Sequence, residues 1–119
     1  YLKELELSPK HFKSIYNLSR LYRMRGDTDR EYEYLQKCLE TEPNFPLSYF
    51  YLGRIYLNRG ERYQEAIDLV KKGLELKPDK GDLPLGYFLL ADLYNRIGDS
   101  VRSLEYAQKG QALTPADAR

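Results

Sequence analysis

Few side chains in this sequence have the type and spacing that catalysis or metal binding requires. His11 is the only histidine, and no second ligand stands at a spacing that would let two residues share a metal ion. Cys38 lies on the apolar face of a helical pattern, which indicates a packed thiol rather than a nucleophile. Acidic pairs such as Glu31/Glu33 stand among basic residues at helix-surface spacing, which favours salt bridges over acid–base catalysis. We therefore expect no enzyme, no metal site and no cofactor.

Arginine and asparagine side chains indicate recognition chemistry instead. Arg20 and Arg54 can each bind a carboxylate through two parallel N–H groups. Asn58 and Asn95 can hydrogen-bond a peptide backbone. These side chains act together only if the chain folds so that they face the same way, so the elements that carry them decide the function.

The composition restricts the class of protein. The chain has 119 residues, of which 42% are hydrophobic and 31% charged, which is typical of one globular domain with a modest core. A net charge of +1 argues against nucleic acid as the partner. No apolar run approaches the roughly 18 residues that a membrane helix needs, so we expect no membrane span. The single cysteine cannot form an internal disulfide, which favours the cytoplasm without deciding the compartment.

An internal repeat organises the chain, and recurring prolines and glycines mark it. The prolines that recur at similar intervals are Pro9, Pro43, Pro78 and Pro115, and the glycines that recur are Gly26, Gly60 and Gly98. Their intervals agree with a unit of about 34 residues if one residue is inserted at 60–63 and three at 78–84. Within the single domain, the sequence predicts units at 10–43, 44–79 and 80–115 and a tail at 116–119. Residues 1–9 are predicted to be the end of a preceding unit's second helix.

Each unit contains two helical patterns. In the second unit, Tyr49, Leu52 and Tyr56 have the spacing of one helix face. Gly60 suits the left-handed residue just past a helix end, and a second apolar pattern starts near Tyr63. No stretch shows the sustained period-two alternation of a strand. The sequence therefore predicts an all-α fold.

The units share an ordered set of residues: a leucine, a small residue, a tyrosine and a glycine, then small residues and a proline. In unit two these are Leu52, Gly53, Tyr56, Gly60, Ala66, Gly73 and Pro78. In unit three they are Leu90, Ala91, Tyr94, Gly98, Ser103, Gly110 and Pro115. In unit one they are Leu18, Ser19, Tyr22, Gly26, Cys38 and Pro43. Unit one departs at Glu31, where the second helix should carry a small residue. This order resembles the tetratricopeptide repeat.

The resemblance implies a right-handed α-solenoid of antiparallel helix hairpins that serves as a protein–protein interaction scaffold. It also implies that first helices line a concave groove and second helices form the outer surface. The first helices, at 10–25, 46–59 and 84–97, hold eight basic residues and one acidic residue. The second helix of unit one, at 27–42, has a net charge of −4. We therefore expect a basic groove and a neutral to acidic back.

The expected partner is a protein or peptide with acidic and apolar residues. The expected groove residues lie on the first-helix faces that turn away from the packed side: Lys13, Tyr16, Asn17, Arg20, Arg23, Phe50, Tyr51, Arg54, Asn58, Phe88, Asp92, Asn95 and Arg96. An alternative for Phe50 and Phe88, and for the nearby Leu47 and Leu85, is that they pack on neighbouring helices or on missing repeats.

Two further functions and one further contact follow from the same pattern. The repeats could be an accessory segment of a larger enzyme that positions its catalytic domain or substrate. RNA or DNA binding through the basic first helices is a weaker alternative, because Asp92 interrupts the basic track. Solenoid ends need a polar cap, and Leu104 and Ala107 leave the last hairpin apolar. We therefore expect self-association through the C-terminal end.

Overall fold

The computed structural model describes residues 12–113, and within that range it contains six α-helices and no strand. The helices are α1 (Phe12–Arg25), α2 (Thr28–Thr41), α3 (Pro46–Arg59), α4 (Tyr63–Glu75), α5 (Leu83–Arg96) and α6 (Ser100–Leu113). They form three successive hairpins, α1–α2, α3–α4 and α5–α6, each lying inside one of the three predicted units. The all-α prediction is confirmed. His11 and the expected helix end at residues 1–9 lie outside the described residues.

Glycine forms the turn between the two helices of each hairpin. Gly26, Gly60 and Gly98 have φ values of 78°, 71° and 87°, a left-handed conformation that a side chain disfavours. The next helix starts on a capping aspartate in the outer units. Asp27 accepts a hydrogen bond from the Arg30 backbone N–H at 3.2 Å, which fixes the start of α2. In the middle unit, which has the inserted residue, no side chain caps α4.

Small residues let the helices of a hairpin approach closely. A Cβ atom added to Gly53 of α3 would lie 2.7 Å from Cγ2 of Val70 in α4. Ala66 and Val70 are both completely buried in the main core, which also includes Leu90 and Leu93 of α5. The core therefore runs through the second and third hairpins without interruption. Burial of this apolar surface is the main stabilising contribution to the stack.

The contacts and the buried face of α3 distinguish the two surfaces of the stacked hairpins. Helix α3 packs directly on α5, whereas α2 makes little direct contact with α4. At 100° per residue, Tyr49, Leu52 and Tyr56 lie on one face of α3, and they are buried. Tyr51, Arg54 and Asn58 lie on the opposite face. Helices α3 and α5 therefore lie side by side, and the contacts of Tyr16 and Arg23 with Tyr51 place α1 beside α3. The surface of these first helices is called the inner surface below, and the second helices form the outer surface.

Candidate functional site

A pocket opens where the first hairpin meets α3, on the inner surface. Its volume is about 400 Å³, and we call it the inter-unit pocket. Its lining residues come from α1, α2 and α3: Arg23, Thr28, Asp29, Glu31, Arg54, Ile55, Asn58 and Arg59. Three of the predicted groove residues, Arg23, Arg54 and Asn58, are brought together here. The fold thus gathers side chains that are far apart in the sequence into one basic and polar recess.

Arg23 is held in place by its own chain. Its Nε donates to Glu31 Oε2 at 2.8 Å, and its guanidinium carbon lies 3.6 Å from the centre of the Tyr51 ring. The Arg23 and Glu31 side chains are only 23% and 7% exposed. Glu31 stands where the other units carry the small residues Ala66 and Ser103, so this ion pair replaces the small-residue contact in unit one. Arg23 was predicted as a groove residue; it lines the pocket, but its guanidinium is already paired with Glu31, and one of its atoms is unsatisfied.

That unsatisfied atom is Arg23 Nη2, which is buried and has no hydrogen-bond partner within residues 12–113. A buried guanidinium donor without an acceptor is unfavourable, so an acceptor that entered the pocket and reached it would be stabilised. The second ion pair of the pocket joins Arg59 Nη2 to Asp29 Oδ1 at 2.8 Å. The two pairs cancel in charge, which leaves Arg54 as the uncompensated charge.

Arg54 and Asn58 are exposed and make no hydrogen bond or ion pair among the described residues. They are one helical turn apart on α3, so their side chains neighbour each other. The guanidinium of Arg54 can bind a carboxylate with two parallel N–H groups, and the Asn58 amide can both donate and accept. This pair is the part of the pocket that is free to bind another molecule.

Helix α1 carries the other predicted basic residues of this surface. Lys13, Asn17 and Arg20 are exposed, as predicted, but they do not line the inter-unit pocket. Tyr16 is half-buried, with its ring centre 5.0 Å from that of Phe45 and 6.4 Å from that of Tyr51. Burial raises the pKa of Tyr16, and the nearby Tyr51 adds to the effect. The Tyr16 hydroxyl therefore remains protonated and able to donate a hydrogen bond.

Phe50 does not lie where the sequence predicted. It is completely buried between α4 and α5, where a Cβ on Gly73 would be 2.7 Å from its Cε1 atom and a Cβ on Gly86 would be 2.9 Å from its Cζ atom. It is a core residue and cannot contact a ligand on the inner surface. Phe88 occupies the equivalent place in unit three and packs on Gly110, but it stays 36% exposed. The packing alternative is therefore correct for Phe50 and partly correct for Phe88.

The predicted residues of unit three are more scattered. Asp92 and Asn95 are exposed on α5 and do not reach the inter-unit pocket. Arg96 Nη1 lies 3.5 Å from the hydroxyl of Tyr63 at the start of α4, so Arg96 extends toward the neighbouring hairpin. The structure thus separates a basic pocket at units one and two from a mixed surface on unit three.

Sequence reasoning missed the pocket residues that come from the second helix, the buried Ile55 of α3 and the exposed Arg59 at the end of α3. These are Thr28, Asp29, Glu31, Ile55 and Arg59. One signal for them was visible, since Glu31 breaks the small-residue pattern of the other units. A buried acid at that place requires a cation, and Arg23 one turn before the hairpin bend supplies it.

Residues 12–113 contain no group of three or more histidine, cysteine or acidic side chains placed to hold a metal ion. No helix in the same range combines the length and the apolar character that crossing a membrane requires.

Comparison with known proteins agrees with the repeat pattern. Two models described as tetratricopeptide repeat match residues 12–45 and 34–68. The chain is 31% identical over 115 residues to a protein CTR9 homolog of Arabidopsis thaliana. The aligned region covers 93% of this chain and 10% of that relative. The chain is 23% identical over 101 residues to tetratricopeptide repeat protein 21A of Mus musculus, covering 85% of this chain and 8% of the relative. The chain therefore spans about a tenth of the length of the curated relatives it matches.

Solved structures show the same fold. A crystal structure of MamA superposes with a TM-score of 0.77 at 22% identity, covering 97% of this chain and 65% of that chain. A second MamA crystal structure gives a TM-score of 0.70 at 20% identity, covering 89% of this chain and 54% of that chain. The repeat models, the relatives and the three stacked hairpins agree, and the fold is an all-α repeat solenoid suited to protein–protein interaction. Residues 12–68 match the tetratricopeptide repeat models, so the chain contains tetratricopeptide repeats.

Proposed function

We propose that this domain binds an extended segment of a partner protein on its inner surface and holds an acidic side chain of that segment in the inter-unit pocket. The observation that carries the proposal is the state of Arg54. It lies at the mouth of the pocket, it is exposed, and it has no ion-pair partner among residues 12–113, whereas the other two arginines of the pocket are paired. A carboxylate bound there gains a charge-assisted hydrogen bond and neutralises the remaining charge.

Neighbouring groups support the proposal. Asn58 is placed to hydrogen-bond the backbone of the bound segment, and Arg20 on α1 adds a second exposed positive charge on the same surface. Tyr51, which is partly accessible, offers apolar area on the same surface. The partner segment is therefore expected to carry an acidic residue followed or preceded by an apolar one.

The test uses an array of peptides, each with one acidic residue at varied distance from one aromatic residue, together with twins in which the acid is replaced by its amide. We expect the full chain to bind a subset of the acidic peptides and the double variant R20E/R54E to lose binding by at least tenfold. The matched control is K77E/K80E, which changes the net charge equally on exposed residues outside the pocket. Unchanged binding in R20E/R54E, or equal losses in both double variants, would refute the site.

We also propose that the apolar C-terminal end associates with a second copy of the chain. Phe50 is completely buried because Gly86 of the following hairpin covers it, whereas the equivalent Phe88 is 36% exposed. Val101 and Leu104 on the last described helix are 78% and 60% exposed. In the second hairpin this face packs on the third hairpin. The equivalent face of the third hairpin, which is the last one described, is exposed, and a second copy of the chain can cover it.

A further inference from the structure

The outer surface has a hollow of its own, between the second helices of units one and two. It is about 380 Å³ in volume, and its floor is the face of α3 opposite to Arg54 and Asn58. Leu39 of α2 and Leu69 of α4 form its sides, and Leu52 lies at its base. We call it the back-face hollow. It is separated from the inter-unit pocket by the thickness of α3, so the two recesses cannot share one ligand residue.

The floor of the back-face hollow offers no free polar group. The Tyr49 hydroxyl donates to the Pro43 carbonyl oxygen at 2.7 Å. The Tyr56 hydroxyl lies 3.0 Å from the Tyr32 hydroxyl, so each tyrosine already has a partner. With these groups satisfied and leucine side chains around them, the floor suits an apolar side chain or the hydrocarbon stem of a long basic one.

The rim of the hollow is acidic. Glu65 and Asp68 of α4 stand on one side, and Lys72 is the one basic residue that lines it. A second hollow of about 520 Å³ adjoins along α2 and shares Gln36 with the first. Its charged lining residues are the acids Asp29, Glu33 and Glu40 and the bases Lys37 and Arg59. Within residues 12–113, Asp29 pairs with Arg59, and Glu65 makes a 3.9 Å contact with Arg62, whereas Glu33, Glu40 and Asp68 form no ion pair. The two hollows together are thus lined by five acids and three bases, a net charge of −2 beside the apolar floor.

We infer that the back-face hollow binds a basic amphipathic segment of a second protein, with an apolar side chain over Leu39, Leu52 and Leu69 and lysines or arginines at the acidic rim. Charge complementarity selects this occupant, because an acidic or neutral segment would leave the rim carboxylates uncompensated. The inner surface, where the positive charge of Arg54 has no partner, favours an acidic segment instead. The domain would therefore hold two differently charged partner segments on opposite faces of α3. This inference does not depend on the inter-unit pocket being a binding site.

The experiment uses the full chain labelled with nitrogen-15 and an N-acetylated helical peptide with leucines on one face and lysines on the other. A twin peptide with glutamates in place of the lysines is the ligand control. We expect saturable binding of the lysine peptide, with the largest amide shifts at Gln36, Leu39 and Leu69, and no saturable binding of the glutamate peptide. The variant E65K/D68K should weaken binding about tenfold, and both residues are exposed, so its helical content should stay unchanged.

Two controls make the result decisive. E75K/E105K changes the net charge by the same amount on exposed residues that line neither hollow, and it should bind like the unmodified chain. R20E/R54E should also retain binding, because its changes lie on the inner surface. Equal weakening by E65K/D68K and E75K/E105K would mean that the peptide responds only to net charge and would overturn the inference. Shifts confined to α1, α3 residues around Arg54, and α5 would overturn it as well.

Discussion

The Phe50 ring lies so close to Gly73 that a Cβ atom on the glycine would come 2.7 Å from Cε1 and 3.0 Å from Cδ1 of the ring. The same Cβ would be 3.1 Å from the Pro46 carbonyl oxygen. Because Phe50 is completely buried and the carbonyl belongs to the backbone, neither neighbour has room to move. This contact fixes the spacing of α3 and α4, and it removes Phe50 from the inner surface, to which we assign partner binding as a proposal.

We predict that G73A destabilises the chain. Alanine is a better helix former than glycine by about 1 kcal/mol, but an extra methyl group in a fully packed core costs about 1–3 kcal/mol. We expect the steric cost to dominate, because the blocking atoms include the Pro46 backbone. Urea denaturation followed by circular dichroism measures the free energy of unfolding, and it should fall by about 1 kcal/mol or more.

Two other glycines provide the controls for this prediction. G110A brings a Cβ to 2.9 Å from the Phe88 ring, but that ring is 36% exposed and can move aside, so the loss should be smaller than in G73A. G81A adds a methyl group where no atom lies within 4 Å, so the free energy of unfolding should hardly change. A G73A protein as stable as G81A would show that the packing between α3 and α4 yields easily.

The Arg23–Glu31 pair predicts strong coupling between its two members. R23M leaves the nearly buried Glu31 carboxylate without its cation, and breaking such a pair costs on the order of 3 kcal/mol. E31A should cost less, because Arg23 keeps its stacking on Tyr51 and remains partly exposed. The double variant should be more stable than R23M, because no charge is then buried alone. Denaturant unfolding of the three variants completes the double-mutant cycle, and additive losses would contradict the coupling.

Self-association of the C-terminal end can be tested with L104R. The leucine is 60% exposed on the apolar outer face of α6, so arginine should leave the monomer folded and should disfavour burial of that face against a second copy. Sedimentation velocity over a range of concentrations should show a smaller fraction of dimer than in the unmodified chain. The matched control is M24R, because Met24 is 80% exposed on α1, far along the stack from α6. Equal sedimentation of L104R and the unmodified chain would rule out this interface.

The free energy of unfolding should fall in alkaline solution. Burial raises the pKa of the Cys38 thiol above its ordinary value of 9.0, and the hydrogen bond from Ser48 offsets only part of this effect. The folded state then holds its proton at a pH where the unfolded state has lost it. The contribution of the protonated Cys38 thiol to the free energy of unfolding is therefore fully present below pH 9.0. It is lost as the pH rises through the higher pKa of the folded state.

The matched variant for the pH experiment is C38A, since small residues occupy the equivalent places in the other units, Gly73 and Gly110. Its stability at neutral pH should be lower by about 1 kcal/mol because of the small cavity. Its loss of stability between neutral and alkaline pH should be smaller than that of the unmodified chain. Burial also raises the pKa values of Tyr49 and Tyr56, so a residual alkaline loss is expected in C38A. Identical pH profiles for the two proteins would show that Cys38 does not contribute.

Much of the fold could be predicted from the sequence because it depends on local regularities. The apolar spacing along each helix, the left-handed glycines Gly26, Gly60 and Gly98, and the capping Asp27 are properties of short segments. Repetition of these segments then implies stacking, because one hairpin alone cannot bury its apolar faces. The exposure of Arg20, Arg54 and Asn58 was predicted for the same reason, since they lie opposite the packed positions of their own helices.

The sequence by itself thus determined the helices and their hairpins, and it led to the prediction of a basic inner surface. Only the tertiary structure decided which of those side chains are available. Phe50 is covered by Gly86 of the next unit, so it cannot bind a partner as predicted. Arg23 is paired with Glu31 across the hairpin, which leaves only its Nη2 atom without an acceptor. The back-face hollow likewise exists only because α2 and α4 stand apart over α3. Helical periodicity is set within a few residues, whereas burial and pairing depend on neighbours that come from other units.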